Sequence, residues 1–266
     1  VTETTTTYRR PVRAPSRLLT ALEARAIGER VSMALVAPML ERLPPGDGHD
    51  VLVLPGFLAD DRSTDPLREI LDELGYRTHG WGLGPNLGPT REIVAGLFDL
   101  VRTITADGRR VSLVGWSLGG IFAREVARAL PGSVRQVITL GSPIHMVPGD
   151  RSATSDAWAR VRDRHDHGYT SARIPERDLG PLPVPTTSVY TRTDGIVQWR
   201  TCVIERGPQA ENVEVHGSHC GLGFNPSVVV VVADRLAQPD RQWRPFRPST
   251  VARPWYPRPA NRRPKR

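Results

Sequence analysis

The stretch VSLVGWSLGGIFAREVARAL (residues 111–130) runs from an apolar segment through a glycine-rich turn into a helical pattern. VSLV has the composition of a buried strand. IFAREVARAL repeats its apolar residues at three- and four-residue spacing, as one face of a helix does. Between them stands Gly115-Trp116-Ser117-Leu118-Gly119-Gly120. A nucleophilic serine on a strand-to-helix turn is held in a strained conformation. Its neighbours two positions away on either side must lack side chains if strand and helix are to pack closely. The helix start behind it supplies free backbone N–H groups and a favourable dipole for a developing oxyanion. The Gly-x-Ser-x-Gly pattern alone also fits a plain glycine-rich βα turn. The strand before it and the helix after it point to a nucleophile at Ser117.

Short apolar runs and helical patterns alternate on both sides of this turn, from His49 to about Gln238. Strands are expected at 51–55, 76–81, 111–116, 134–140, 186–190 and 212–217, and helices near 63–74, 90–105, 118–130, 196–203 and 225–238. Continuous apolar strands alternating with helices predict an α/β chain whose parallel sheet is covered on both faces. The run Val228 to Val232 favours a strand by its β-branching. Asn225-Pro226-Ser227 before it is a good helix start, so a helix is expected there. About forty residues, 142–183, separate the fourth and fifth strands, with one helix expected at 155–164. An excursion of that length reads as a cap, a lid or a disordered segment.

Residues 17–42 follow a helical pattern ended by Pro-Pro-Gly, after a Thr-, Arg- and Pro-rich arm at 1–16. The chain divides accordingly into an N-terminal extension (1–43), a catalytic domain (44–240) carrying the 142–183 insertion, and a Pro/Arg-rich tail (241–266). The tail holds eight Arg, one Lys and no acid. The whole chain carries +8, so residues 1–240 sum to −1. The basicity belongs to the tail, where it would attract an anionic surface or partner in a salt-dependent way.

The sequence resembles the α/β-hydrolase superfamily, and within it the bacterial lipase and esterase-like members, through the GWSLGG elbow, the late TRTDGIV segment (191–197) and the GSHCG loop (217–221). The resemblance covers roughly residues 50–238. It implies a mostly parallel twisted sheet of about six or more strands, with helices on both faces and a small cap insertion. It also implies a Ser–acid–His order along the chain. His219 then becomes the expected base, in a turn between the last strand and the last helix. His216 is its local rival, expected to be packed at the strand end. His49, His79, His145, His165 and His167 lie on early strands or in the excursion. Asp194 is the expected acid, after the strand TTSVY, and would hold the His219 tautomer. An Asp-Gly pair also makes an ordinary turn, and Asp150 is the alternative acid.

Two backbone donors complete such a site: Leu118 N–H and, from Leu54-Pro55-Gly56-Phe57-Leu58-Ala59, Phe57 N–H. Family members carry His-Gly where this chain has Pro55-Gly56. The Phe57 and Trp116 side chains either line an acyl pocket or belong to the core. No metal site is expected; His165-Asp166-His167 reads as solvated surface, and no phosphate- or dinucleotide-binding fingerprint points to a cofactor. Cys202 and Cys220 flank the acid and the base, and a disulfide between them is conceivable.

The polar start, without an apolar signal region, and the two cysteines suggest the cytoplasm, and no run is long enough to span a membrane. The expected function is a serine carboxyl-ester hydrolase of the esterase or lipase type. The excursion and the apolar patch Val31 to Leu40 suit a small-molecule ester with a medium or long acyl chain. The same triad would serve an acyltransferase with an acceptor other than water. A non-catalytic binding module using the basic tail is the reading from a different class.

Overall fold

The computed structural model describes residues 11–40, 43–147, 149–165 and 180–260, with backbone alone for 34–40. Asp166, His167, the side chains at 34–40 and the basic residues past 260 lie outside the described residues.

Six strands form one sheet: β1 (Asp50–Leu54), β2 (Arg77–His79), β3 (Val111–Trp116), β4 (Val134–Leu140), β5 (Thr186–Tyr190) and β6 (Ala210–Glu214). Their order is β2-β1-β3-β4-β5-β6, and every pairing is parallel. Side chains alternate across β1. Val51 and Val53 join one core cluster with Leu67, Leu71, Val228 and Val232, while Leu52 and Leu54 join the other with Leu97, Val101, Phe122 and Val126. The first cluster lies under α3 (Asp65–Glu73) and α7 (Pro226–Leu236), the second under α4 (Arg91–Ile104) and α5 (Leu118–Ala129). Both faces are therefore covered, as a parallel sheet requires.

Local chemistry sets the helix starts. Thr90 caps α4 by accepting the Ile93 N–H at 3.2 Å, and Asn225 caps α7 by accepting the Ser227 N–H at 2.9 Å. With Pro226 at its first position, α7 carries the valine run as a helix. Val228, Val229, Val231 and Val232 are all fully buried, so packing overrides strand propensity there. No helix among the described residues is long and apolar enough to cross a membrane.

Two expectations change. The segment 196–203 is not a helix beyond the single 3₁₀ turn Trp199–Thr201. Its backbone groups are taken by tertiary partners: Ile196 and Val197 N–H donate to Asp194, the Ile196 carbonyl accepts from Ala153, and the Cys202 carbonyl accepts from Ser188. The N-terminal stretch is not one helix either, but α1 (Arg17–Ala21), a 3₁₀ turn (Leu22–Arg25) and α2 (Ala26–Leu40). The excursion contributes α6 (Ser155–Val161). The tail folds back on the sheet edge. Phe246 N–H donates to Glu211 and Ala260 N–H to the Tyr190 hydroxyl, while Arg241, Arg244, Arg247, Arg253 and Arg258 stay exposed.

Candidate active site

The strand order reverses direction of winding between β1 and β3, and the loops leaving their carboxyl ends open a crevice there. The register pairs Leu54 with Gly115, which sets Gly56 opposite Ser117. Ser117 joins β3 to α5 at φ 53°, ψ −118°, a conformation non-glycine residues rarely adopt. Its N–H donates to the Leu140 carbonyl at 2.8 Å. The flanking glycines are required by contact. A Cβ on Gly115 would stand 2.3 Å from the Gly120 Cα, and one on Gly119 would stand 2.3 Å from the Leu54 carbonyl oxygen.

The loop after β1 comes equally close: a Cβ on Gly56 would sit 3.3 Å from the Ser117 Cβ. This loop is held by Asn86, fully buried, whose Nδ2 donates to the Pro55 carbonyl at 2.9 Å. The Asn86 backbone donates to the Ala59 carbonyl and accepts from Leu58, both at 2.8 Å. The Phe57 amide lies between these ties, and Leu118 is the first residue of α5, where an amide has no acceptor in its own helix. Among the described residues neither amide has a hydrogen-bond acceptor. The sequence offered no sign of Asn86, because its partners lie some thirty residues away. Asn86→Ala strands the buried Pro55 carbonyl, at an expected cost of about 2 kcal/mol in urea unfolding.

His219 and Asp194 meet from the loops after β6 and β5. The His219 Nδ1–H donates to Asp194 Oδ2 at 2.6 Å, while Asp194 Oδ1 accepts Ile196 N–H at 2.9 Å and Val197 N–H at 2.7 Å. Both side chains are buried. Burial opposes an imidazolium at His219, but the charge and hydrogen bond of Asp194, with the charge of Glu23 added, outweigh it and hold the pKa above the ordinary histidine value. The ring lies beside the elbow: Trp116 Nε1–H donates to the His219 carbonyl at 3.1 Å, and a Cβ on Gly141, just past β4, would be 3.0 Å from His219 Nδ1.

The rival residues are engaged elsewhere. Asp150 accepts N–H groups of Val12 and Val147. His216 is exposed, against the expectation that it packs, because the chain turns outward between Val215 and Ser218. His79 bonds Asp50 and His165 donates to the Leu87 carbonyl. Cys202 and Cys220 are free thiols. Burial pushes the Cys202 thiol well above its ordinary pKa, and burial with the Glu23 charge pushes Cys220 up to about 12. Neither is a thiolate near neutrality. Among the described residues no group of three or more His, Cys, Asp or Glu is arranged to hold a metal ion.

No known protein-family profile matches the chain. Among curated proteins it is 33% identical over 109 residues to a pimeloyl-[acyl-carrier protein] methyl ester esterase of Shewanella woodyi, covering 40% of this chain and 41% of that one. It is 29% identical over 143 residues to the serine hydrolase BPHL of Homo sapiens, covering 48% of each. The chain thus spans about two fifths to half the length of these curated relatives. Among solved structures, Aspergillus fumigatus lipase B superposes with a TM-score of 0.54 at 16% identity, over 71% of this chain and 52% of that one. The chain has the α/β-hydrolase fold.

Within that α/β-hydrolase fold the excursion reaches the loop after β1. The Trp158 ring of α6 lies 5.2 Å from the Phe57 ring and 4.5 Å from His165. Trp116 and Phe57 are each partly exposed, and Trp116 also packs against the core cluster under α3 and α7. Trp158 did not stand out in the sequence, where it is one aromatic in a polar helix.

Proposed function

We propose that the chain is a serine carboxyl-ester hydrolase of the esterase or lipase type, with Ser117 as nucleophile, His219 as base and then acid, and Asp194 as the carboxylate that orients the imidazole. What carries this is the strained serine at the start of α5, combined with a buried histidine–aspartate pair on the loops after β6 and β5, in the chain order Ser, Asp, His. The esterase and serine hydrolase names of the relatives support the same chemistry.

The Ser117 Oγ attacks the ester carbonyl as His219 Nε2 takes its proton. The oxyanion that forms is held by the N–H groups of Phe57 and Leu118. As the tetrahedral intermediate collapses, the ester C–O bond breaks and the alcohol leaves with the proton from His219. Water then attacks the acyl-enzyme, giving its proton to His219, and the acid departs as Ser117 is reprotonated. The raised His219 pKa suits a base that must carry a proton through each intermediate. The Phe57 and Trp158 rings favour a medium or long acyl chain. The exposed tail arginines favour contact with an anionic surface, and the two free thiols favour the reducing cytoplasm.

The test is hydrolysis of p-nitrophenyl esters of graded acyl length, with fluorophosphonate labelling alongside. Ser117→Ala should lose about 10⁶-fold in kcat and all labelling. Labelling of Ser117 without turnover of any ester would point to acyl transfer to another acceptor. Undiminished turnover by Ser117→Ala would overturn the assignment.

A further inference from the structure

Both loops that bring His219 and Asp194 together rest on the N-terminal segment. Glu23, in the 3₁₀ turn between α1 and α2, is only 7% exposed. Its Oε1 accepts the Gly195 N–H at 2.7 Å and the His219 N–H at 3.1 Å, and its Oε2 accepts the Cys220 N–H at 2.8 Å. One carboxylate thus binds the residue after Asp194, His219 itself and the residue after it.

The surrounding strap repeats the pattern. Thr20 Oγ1–H donates to the Gly195 carbonyl at 2.8 Å, and Arg25 donates to the carbonyls of Thr193 at 2.7 Å and Gly217 at 2.8 Å. Glu29 accepts the Ser218 N–H at 2.7 Å and an Asn225 Nδ2–H at 3.1 Å. The loops are shaped to receive it. A Cβ on Gly195 would lie 2.2 Å from the Leu19 carbonyl oxygen, and one on Gly221 would lie 2.0 Å from the Glu29 carboxylate.

We infer that Glu23 is a positioning residue for the His219–Asp194 pair, a buried carboxylate that fixes the acid loop and the histidine loop to one point. This role rests on the triad proposed above. The carboxylate is chemically demanded: three N–H donors need acceptors on both oxygens, and an amide offers only one. A glutamine would keep Oε1 for Gly195 and His219 but turn its NH₂ toward the Cys220 N–H, leaving two donors face to face. Its missing charge would also remove one of the negative charges that favour the imidazolium.

The experiment compares wild type, Glu23→Gln and Glu23→Asp for p-nitrophenyl ester hydrolysis across pH, with the rate of fluorophosphonate labelling measured in parallel. Glu23→Gln is expected to lose about 10- to 100-fold in kcat with KM little changed, in the range seen when a supporting partner is removed. The acid limb of its kcat/KM profile should move to lower pH, since removing a negative charge lowers the imidazole pKa. Glu23→Asp, one methylene short of spanning both loops, should lose rate while its acid limb stays near the wild-type position. A Glu23→Gln enzyme with wild-type kcat and acid limb, labelled at the wild-type rate, overturns the role of Glu23 and leaves the triad standing. A wild type that is not labelled at Ser117 overturns both. If Glu23→Gln does not fold, Glu23→Asp decides: wild-type kcat there overturns the role.

Discussion

Asp194→Asn should lower kcat by about 10,000-fold while leaving the fold intact. The direction follows from the hydrogen bonds already in place. Asp194 Oδ1 accepts the N–H groups of Ile196 and Val197, so an asparagine must put its oxygen there. Its NH₂ then faces His219 Nδ1, which can only accept. The ring proton moves to Nε2, and the nitrogen that should take the Ser117 proton is no longer a base. The pH dependence changes as well. In the wild type the His219 pKa is held above its ordinary value, so the acid limb of kcat/KM falls above about pH 6.5. In Asp194→Asn it should move to lower pH, since burial then acts with less opposition. Stability follows the same sign: a raised folded-state pKa contributes stability that is complete below the unfolded value and lost as pH rises through the folded one. Urea unfolding of wild type and variant, compared on both sides of that window, checks the sign. A variant retaining most of its kcat would sink the role given to Asp194.

Gly119→Ala should cost about 3 kcal/mol and lower Tm by roughly 6–12 °C in a calorimetric scan. The added Cβ would meet backbone, at 2.3 Å from the Leu54 carbonyl oxygen and 2.7 Å from that of Pro55. No rotamer change relieves such a clash. Relief requires α5 to move off β1, which pulls the Leu118 amide away from the crevice. Activity should therefore fall even below the melting temperature. A variant with unchanged Tm would mean that helix and strand are less tightly juxtaposed at the elbow.

The Ser117 turn was legible because its determinants are local: strand, glycines and helix start lie within twenty residues. The same locality explains the correct reading of β3, β4 and β5, and of the α7 start at Asn225-Pro226. Periodicity misled where tertiary partners claimed the backbone, as at 196–203. Histidine chemistry shows the limit most clearly. His49, set aside in the sequence as poorly placed, bonds Asp47 through Nδ1 and the Ser112 Oγ through Nε2 at 2.9 Å. That is a bonded Ser–His–Asp array at the opposite end of β3, formed away from the buried His219–Asp194 pair. Ser112 is fully buried within the strand, and the strand places no helix N-terminus behind it. It therefore has neither access to an ester nor a place for an oxyanion. Hydrogen bonding among Ser, His and Asp therefore does not by itself mark a nucleophile; exposure and a following helix do.

By itself, the sequence determined the parallel α/β architecture and the strained serine, because hydrophobic period and turn chemistry act over short separations, while the candidate acid and base came with the resemblance to the α/β-hydrolases. Only the tertiary structure decided which carboxylate faces His219, that Asn86 braces the loop of Phe57, and that Glu23, nearly two hundred residues from His219, lies beneath it. Those contacts depend on how helices and loops far apart in the chain come to share one buried space, and a buried carboxylate looks the same in a sequence as one on a solvated helix face.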